Sequence, residues 1–331
     1  MIVSWLSLLY IEVMTGRRRL FLTVTLALLV IIGLLYAVVA LLPPVAAGAG
    51  TMWLADEDGF PRVIAHQGGN QEAPAHTHLA FSAAAEAGVD IFELDVVLTA
   101  DDQLAVIHDL TVDRTTDGSG LVSELTYASI RLLDAGYGLE DADRQVIRNP
   151  EGNPFIGTGL YVPTLEELFQ TYPAMPMLIE IKNRGGLGRR AAEKLWQLIQ
   201  QYDRQNSVVV ASFVQESLNH FREVSQGQVT TSAAVDETMR YYILHLLFLQ
   251  GLNRGIDFSV FNLPLSWALG PVTVDLAAHR LRKSVQQQGV ALHYWTINDE
   301  QEMRKLIAMG VDGIITDRPS KLIAIIDEMR E

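Results

Sequence analysis

From Leu20 to Leu42 the chain runs for 23 residues, LFLTVTLALLVIIGLLYAVVALL, without a charged side chain. As a helix this stretch would be about 34 Å long at ~1.5 Å per residue, enough to cross the roughly 30 Å hydrocarbon core of a bilayer. The reading is one membrane-spanning helix over 20–42. Arg17, Arg18 and Arg19 stand directly before it, and the next charge beyond it is Asp56. Arginines clustered at one end of a span hold that end in the cytoplasm. Residues 1–19 are therefore expected inside and everything after the span outside, on the extracytoplasmic face. The alternative is a cleaved signal peptide ending at the small residues of VAAGAG, but the run is longer than the roughly 7 to 15 residues usual for such a core. Residues 1–16 are apolar and too short to cross, and an alternative start at Met14 would place MTGRRR directly before the span.

Beyond the span the composition is that of a folded acidic domain. The 331 residues are 49% apolar and 19% charged, which allows a sizeable core. Of 25 basic and 39 acidic residues, three arginines and one glutamate precede residue 56, leaving the remainder at −16. That balance excludes a nucleic-acid surface, which needs many Lys and Arg against phosphates, and a polybasic lipid-binding face. Cysteine is absent, so disulfides, thiol nucleophiles, iron–sulfur clusters and cysteine-bound zinc are excluded together.

Residues 43–60, opening with Pro43, Pro44 and the stretch AAGAG, read as a linker. The folded domain is expected over 61–331. There, short β-rich runs alternate with helical patterns, the plan of a parallel sheet covered by helices. Strands are expected at 62–66, 91–99, 104–108, 177–182, 208–213, 229–235, 257–262, 291–297 and 313–316. Nine is one too many for a regular eightfold barrel. Between Thr99 and Leu104 lie only four residues, too few for a parallel crossover, so these two runs are expected to form a hairpin or an irregular part of a barrel. Pairing about Ala100 and Asp101 would set Glu93 opposite His108. Helices are expected from Thr77 to Gly88, after the Thr164/Glu167 capping box, and between Pro271 and Gly289. Residues 113–162 form a long Gly-, Asp- and Asn-rich insertion with one short helical patch, TYASIRLLDA, and read as a lid or substrate-facing subdomain. The uncharged run YYILHLLFLQGL at 241–252 reads as a buried helix, with a segment dipping into the outer leaflet as the alternative.

Glu93 and Asp95 lie inside IFELDVVL and Glu180 inside MLIEIK, flanked by aliphatics. A carboxylate in such a run is rarely buried unless it is paired or bound to a metal. Two residues apart on a strand, Glu93 and Asp95 share a face. His66 and His108 end strands as VIAH and LAVIH. Carboxylates without cysteine make a hard oxygen site suited to Mg²⁺ or Ca²⁺, and a histidine pair supplies general acid and base near neutral pH. Lys182, two residues after Glu180, adds a cation for developing phosphoryl charge. The natural substrate of such a set is a phosphodiester.

At these residues the chain resembles the glycerophosphodiester phosphodiesterase family, whose barrel is related to that of phosphatidylinositol-specific phospholipase C. The resemblance runs over about 62–320 and rests on His66-Gln67-Gly68, Pro74-Ala75-His76-Thr77, Glu93-Leu94-Asp95, His108-Asp109, Glu180-Ile181-Lys182, Trp295-Thr296-Ile297-Asn298 and Thr316-Asp317, with DRTTDGSG and VPTLEEL between them. It implies an (α/β)8 TIM barrel, irregular between strands 2 and 3, with the insertion after strand 3. It further implies that Glu93, Asp95 and Glu180 bind a divalent cation, Ca²⁺ or Mg²⁺, and that His66 and His108 exchange the roles of acid and base. Gln67, Lys182 and Trp295 would bind substrate, Trp295 either stacking on the glycerol moiety or filling the core. In two places the chain departs from the family. Gln67 stands where the family carries an arginine, and Ala75 where it carries a glutamate. Glu72, His76, His78 and Arg184 are the candidates to compensate. The expected reaction is metal-dependent hydrolysis of a glycerophosphodiester to glycerol phosphate and an alcohol. The alternatives are a lysophospholipase D acting on membrane lysolipids and a non-catalytic membrane-tethered barrel.

Overall fold

Residues 2–42, 48, 50–253, 256–269 and 272–331 are described by a computed structural model, with side chains except at 2–17, 19, 269 and 272. The chain divides into two units, Met1–Val45 with Ile243–Arg254, and Ala46–Tyr242 with Gly255–Glu331.

The first unit is built on helix α1 (Ile2–Ala40). Its stretch Leu20–Ala40 has a mean hydropathy of 2.7 and none of its side chains is buried. The helix is continuous with the segment before the arginines, and Leu41 and Leu42 form its closing turn. Against its end lies the 243–253 segment: the Tyr36 hydroxyl donates to the Leu247 carbonyl at 2.6 Å. At Gly251 a Cβ would come within 2.7 Å of the Leu42 carbonyl oxygen, so only glycine permits this approach. The run at 241–252 is thus not the buried helix its composition suggested. Tyr241 is buried, but Ile243, Leu246, Leu247, Phe248 and Leu252 are 41 to 55% exposed. The helix ends at Leu246, and the residues beyond it accompany a helix whose own surface is apolar and open.

In the second unit the aliphatic runs become strands because each is buried on both faces, as a parallel sheet under helices requires. In chain order they are β1 (Arg62–His66), α2 (His78–Ala87), β2 (Ile91–Leu98), β3 (Leu104–Val106), α3 (Tyr127–Ile130), α4 (Leu165–Thr171), β4 (Met177–Ile181), α5 (Gly185–Gln201), β5 (Val208–Ala211), α6 (Gln215–Ser225), β6 (Thr230–Thr231), α7 (Val235–Leu246, reaching into the first unit), β7 (Val260–Leu263), β8 (Ser266–Leu269), β9 (Val272–Asp275), α8 (His279–Gln287), β10 (Ala291–Tyr294), α9 (Glu300–Met309), β11 (Gly313–Thr316) and α10 (Pro319–Arg330). Eight strands lie in the order β6-β5-β4-β2-β1-β11-β10-β7. A parallel bridge between Ser232 and Val260 joins the two edges, and Ala233 N donates to Val260 O at 2.9 Å. The sheet closes into the expected α/β barrel.

The ninth candidate strand, β3, stands off the barrel, antiparallel to β2. The hairpin forms as foreseen, but Val96 pairs with Val106 and Leu98 with Leu104, one residue from the expected register. Asp102, at φ +58, takes up the extra residue in the turn. Glu93 is therefore not opposite His108. The helix expected between Pro271 and Gly289 starts only at His279, because Val272–Asp275 pairs with Ser266–Leu269 as an antiparallel hairpin. Pro271 itself, like 43–47 and 49 of the expected linker, lies outside the described residues. The stretch from Thr51 to residue 60 packs with the barrel: Trp53 is buried among Ile64, Ile91, Leu178, Val209, Val260, Ala291 and Ile315, and its carbonyl accepts from His293 Nε2 at 2.8 Å. The insertion carries a small core of its own, in which Val112, Val122, Ile130, Ala135 and Val162 cover Val97 and Ala105 of the β2/β3 hairpin. Its helical patch reduces to the four residues of α3, capped by Thr126.

Candidate active site

Barrel chemistry belongs at the carboxyl ends of the strands, and the register delivers the polar residues there. His66 pairs with Glu93 across β1 and β2, and Asp95 with Glu180 across β2 and β4. Ligand oxygens of Glu93, Asp95 and Glu180 all lie within 4.8 Å of one another. His66, Glu93, Asp95, His108, Glu180, Lys182 and Trp295 line a single cavity of about 660 Å³.

The carboxylates are poorly neutralised by the protein. Burial, reinforced by the charge of Asp95, pushes Glu93 up to about 8 and Glu180 up to about 7. Asp95 is also buried, yet Lys182 and His76 hold it well below the usual carboxylate range. Lys182 Nζ donates to Glu180 Oε1 at 3.0 Å and lies 3.2 Å from Asp95 Oδ1. Lys182 and His66 are the cations facing Glu93, Asp95, Glu180 and Asp317, so carboxylates outnumber cations in the cluster. The donor set is all oxygen, so these residues fit a hard divalent cation.

Each histidine is oriented through Nδ1. His66 Nδ1 bonds Asp317 Oδ1, and Asn298 Nδ2 donates to the other Asp317 oxygen at 2.6 Å. Burial alone would lower His66, but Glu93 and Asp317 outweigh it and bring it up to about 9. Its Nε2 is 3.9 Å from Glu93 Oε2. His108 Nδ1 lies 2.7 Å from Asp109 Oδ1, and Asp109 accepts from Arg114 Nε at 2.7 Å. His108 Nε2 lies 3.1 Å from Lys182 Nζ. An ammonium can only donate, so this Nε2 is an acceptor and the proton is on Nδ1.

Gln67 sits beneath the cavity rather than in its wall. It is 2% exposed; its backbone N–H donates to Glu93 Oε2 at 3.1 Å and its amide to Asp95 Oδ2 at 3.4 Å, while its side-chain oxygen accepts from Asn70. Of the residues proposed to compensate at this position, Glu72 accepts from Ser320, His78 meets Tyr161 and Arg184 precedes α5. His76 does reach the site: burial lowers it to about 4, and its Nε2 lies 3.2 Å from both the Asp95 backbone nitrogen and Asp95 Oδ2. Trp295 stands edge-on to Phe213, with ring centroids 5.8 Å apart.

Asp317, Asn298, Asp109, Phe213 and Arg144 join the site without having been singled out as functional. Asp317 and Asp109 carried a signal, each being an acid directly after a strand-like run. Arg144, in the middle of the long insertion, carried none.

Residues 66–321 match the family model described as the glycerophosphoryl diester phosphodiesterase family. A glycerophosphodiester phosphodiesterase of Caldanaerobacter subterraneus subsp. tengcongensis is 32% identical over 80% of this chain and 97% of its own length. A lysophospholipase D of Rattus norvegicus is 26% identical over 81% and 87% respectively. An Oleispira antarctica phosphodiesterase, solved in complex with the product sn-glycerol-3-phosphate, shares the fold with a TM-score of 0.62 at 23% identity, covering 82% of this chain and 98% of that one. Fold and relatives together define a barrel hydrolase of phosphoric diesters. Within that class, the chain belongs to the glycerophosphoryl diester phosphodiesterase family, whose metal dependence the acidic cluster matches.

Proposed function

We propose that this protein hydrolyses glycerophosphodiesters to glycerol phosphate and an alcohol, with His66 and His108 as the proton-transfer pair. The observation that carries the proposal is the convergence of three strand carboxylates and two Nδ1-anchored histidines on one cavity. Glu93, Asp95 and Glu180 would hold Ca²⁺ or Mg²⁺, which when bound neutralises the phosphate oxygens and polarises phosphorus. His108 takes the proton of the attacking hydroxyl at Nε2 once Lys182 Nζ gives up that nitrogen; where the attacker is the substrate's own glycerol, water then opens the cyclic phosphate with the two histidines in exchanged roles. His66 starts as the imidazolium and gives its proton to the leaving alcohol as the phosphorus–oxygen bond breaks. Asp317 and Asp109 keep each ring in the required tautomer, and Lys182 holds Asp95 and Glu180 in place beside the phosphorus. Trp295 would wall the glycerol side of the cavity; Gln67, placed to orient Glu93 and Asp95, supports the ligand set from below.

A second reading, lysolipid hydrolysis, has its own observation. Beyond the polar cluster the cavity continues along Val235, Leu263, Pro264, Trp267 and Ala268, a wall that offers an acyl chain contact and a small polar head group none. We further assign residues 20–42 to a membrane span with the N-terminus cytoplasmic, and the 61–331 barrel with its 113–162 insertion to the extracytoplasmic side.

Hydrolysis of glycerophosphocholine and of lysophosphatidylcholine by the full-length chain, with Ca²⁺ or Mg²⁺ and with EDTA, tests both readings. Glycerol phosphate release that needs the cation and falls about 10²–10⁴-fold in His66→Ala and His108→Ala supports the first. A strong preference for the lysolipid transfers the proposal to the second, and turnover that survives in both histidine variants refutes the assignment.

A further inference from the structure

A phosphodiester entering this cavity brings negative charge to a wall that already holds Glu93, Asp95, Glu180 and, behind His66, Asp317. Two basic side chains, Lys182 and Arg144, are among the cavity's lining residues. Lys182 is already engaged by the protein: Nζ donates to Glu180 Oε1 at 3.0 Å and to His108 Nε2 at 3.1 Å, and lies 3.2 Å from Asp95 Oδ1.

Arg144 is in the opposite condition. Among the described residues its nearest carboxylates are Asp317 Oδ2 at 3.6 Å and Glu140 Oε2 at 3.8 Å from Nε, both beyond hydrogen-bond reach, and the Glu140 oxygen has no hydrogen-bond partner there. The side chain is about half exposed. Its planar fork is therefore free to take two oxygens of one anion.

The backbone holds the side chain at this position against its own preference. Glu140 and Val146 form an antiparallel bridge, closed by Asp141 N to Gln145 O at 2.9 Å and Arg144 N to Asp141 O at 3.0 Å. The Asp141 carboxylate accepts from the N–H groups of Asp143 and Gln145. Arg144 sits at this tip with φ +61, a left-handed conformation in which glycine or asparagine is the ordinary choice. Glu140, which anchors the loop, donates its backbone N–H to Asn70 O at 2.9 Å and accepts from Arg114 Nη1 at 2.6 Å. The hairpin is thus tied to the loop after β1 and to the support of His108.

We infer that Arg144, carried in by the insertion, is the side chain that grips the substrate's phosphate, with sn-glycerol 3-phosphate, the product, as its minimal ligand. The inference rests on the phosphodiesterase reading of this cavity but is tested without turnover. Binding of sn-glycerol 3-phosphate to the detergent-solubilised full-length chain, with Ca²⁺ or Mg²⁺ present, is measured by titration calorimetry beside Arg144→Ala, Arg144→Gly and Arg144→Lys. Loss of a charge-assisted fork is expected to weaken binding about 10- to 100-fold in Ala and Gly, with a partial return in Lys. The KM for glycerophosphocholine should rise in parallel while the melting temperature of Arg144→Gly does not fall, because glycine relieves the left-handed backbone. Unchanged binding in Arg144→Ala overturns the inference, as does a wild type that binds no glycerol phosphate. A lower melting temperature in Arg144→Gly with binding intact also overturns it and makes the residue structural. If the wild type binds glycerol phosphate but leaves glycerophosphodiesters intact, the reaction assignment fails, and the binding difference alone decides Arg144.

Discussion

Glu93 and Glu180 pull on the fold in the absence of a cation. Glu93 is buried and Glu180 half-buried beside Asp95, and both are pushed up into the neutral range, so near pH 7 the cluster either takes up protons or bears mutual repulsion. A divalent cation that binds the native cluster and not the unfolded chain stabilises by mass action, by about 2.7 kcal/mol at a hundredfold excess over its dissociation constant. For a domain of this size that corresponds to a melting temperature about 5–10 °C higher. We expect scanning calorimetry with Ca²⁺ or Mg²⁺ to show such a rise and Glu93→Gln to abolish it, while leaving the cation-free melting temperature equal or higher, since the amide removes one of three competing charges. A rise that persists in Glu93→Gln would place the stabilising cation elsewhere. Asp317 touches His66 and is braced by Asn298 but is not among the residues lining the cavity. Asp317→Asn should lower kcat by about 10²-fold, the lower end of what a proton-transfer residue contributes, with KM nearly unchanged. A KM effect of equal size would mean that the residue binds substrate instead.

At the scale of elements, the α4 cap joins barrel and insertion. Thr164 and Glu167 form the reciprocal capping box that their spacing announces. Glu167 also accepts from the Tyr127 hydroxyl at 2.7 Å and pairs with Arg131, both in the insertion. Burial would raise Glu167, but the Thr164 N–H, Tyr127 and Arg131 bring it below its ordinary 4.5. A carboxyl depressed in the folded state stabilises fully above its unfolded value and loses that contribution as pH falls through and below 4.5. Glu167→Gln should therefore cost about 1–2 kcal/mol at pH 7 and progressively less toward pH 3, as read by urea unfolding at each pH. A gap that does not narrow on acidification would assign the effect to packing. Glu167 shows what was legible in the chain, for its box is a local pattern. So are Glu93, Asp95 and Glu180, because a charge inside an aliphatic strand has few stable destinations. The β2/β3 register was missed by one residue because four intervening residues permit more than one turn, and a positive φ at Asp102 decides between them. The β8/β9 hairpin was missed because VTVD abuts a run of helix formers that outweighs four residues of alternation. Arg144 was illegible for a different reason: a fifty-residue insertion has no period from which a direction can be read, and only the tertiary fold brings it to the cavity that His66 lines.

At the scale of the whole molecule, the first unit and the charge distribution argue together for a membrane. Leu20–Ala40 is apolar throughout with no side chain buried, and the exposed Ile243, Leu246, Leu247 and Leu252 belong to the same unit. In water both would leave many large apolar side chains exposed, which soluble monomers ordinarily avoid. In the proposed topology the arginines at 17–19 mark the cytoplasmic end. The remainder, at −16, is repelled by the anionic cytoplasmic leaflet rather than attached to it, which favours the opposite side. Because the chain contains no cysteine, the topology can be read with single introduced thiols. Glu151→Cys, at an exposed position of the insertion, should react with a membrane-impermeant maleimide in intact cells, whereas Ser4→Cys should react only after lysis. The labelled protein should remain in the membrane fraction after a carbonate wash and keep the mass of the full chain. Labelling of Ser4→Cys in intact cells with Glu151→Cys protected would invert the assignment. Recovery of the barrel in the soluble fraction, shortened near VAAGAG, would show that the apolar helix is an export signal and that the exposed 243–252 residues must find cover elsewhere.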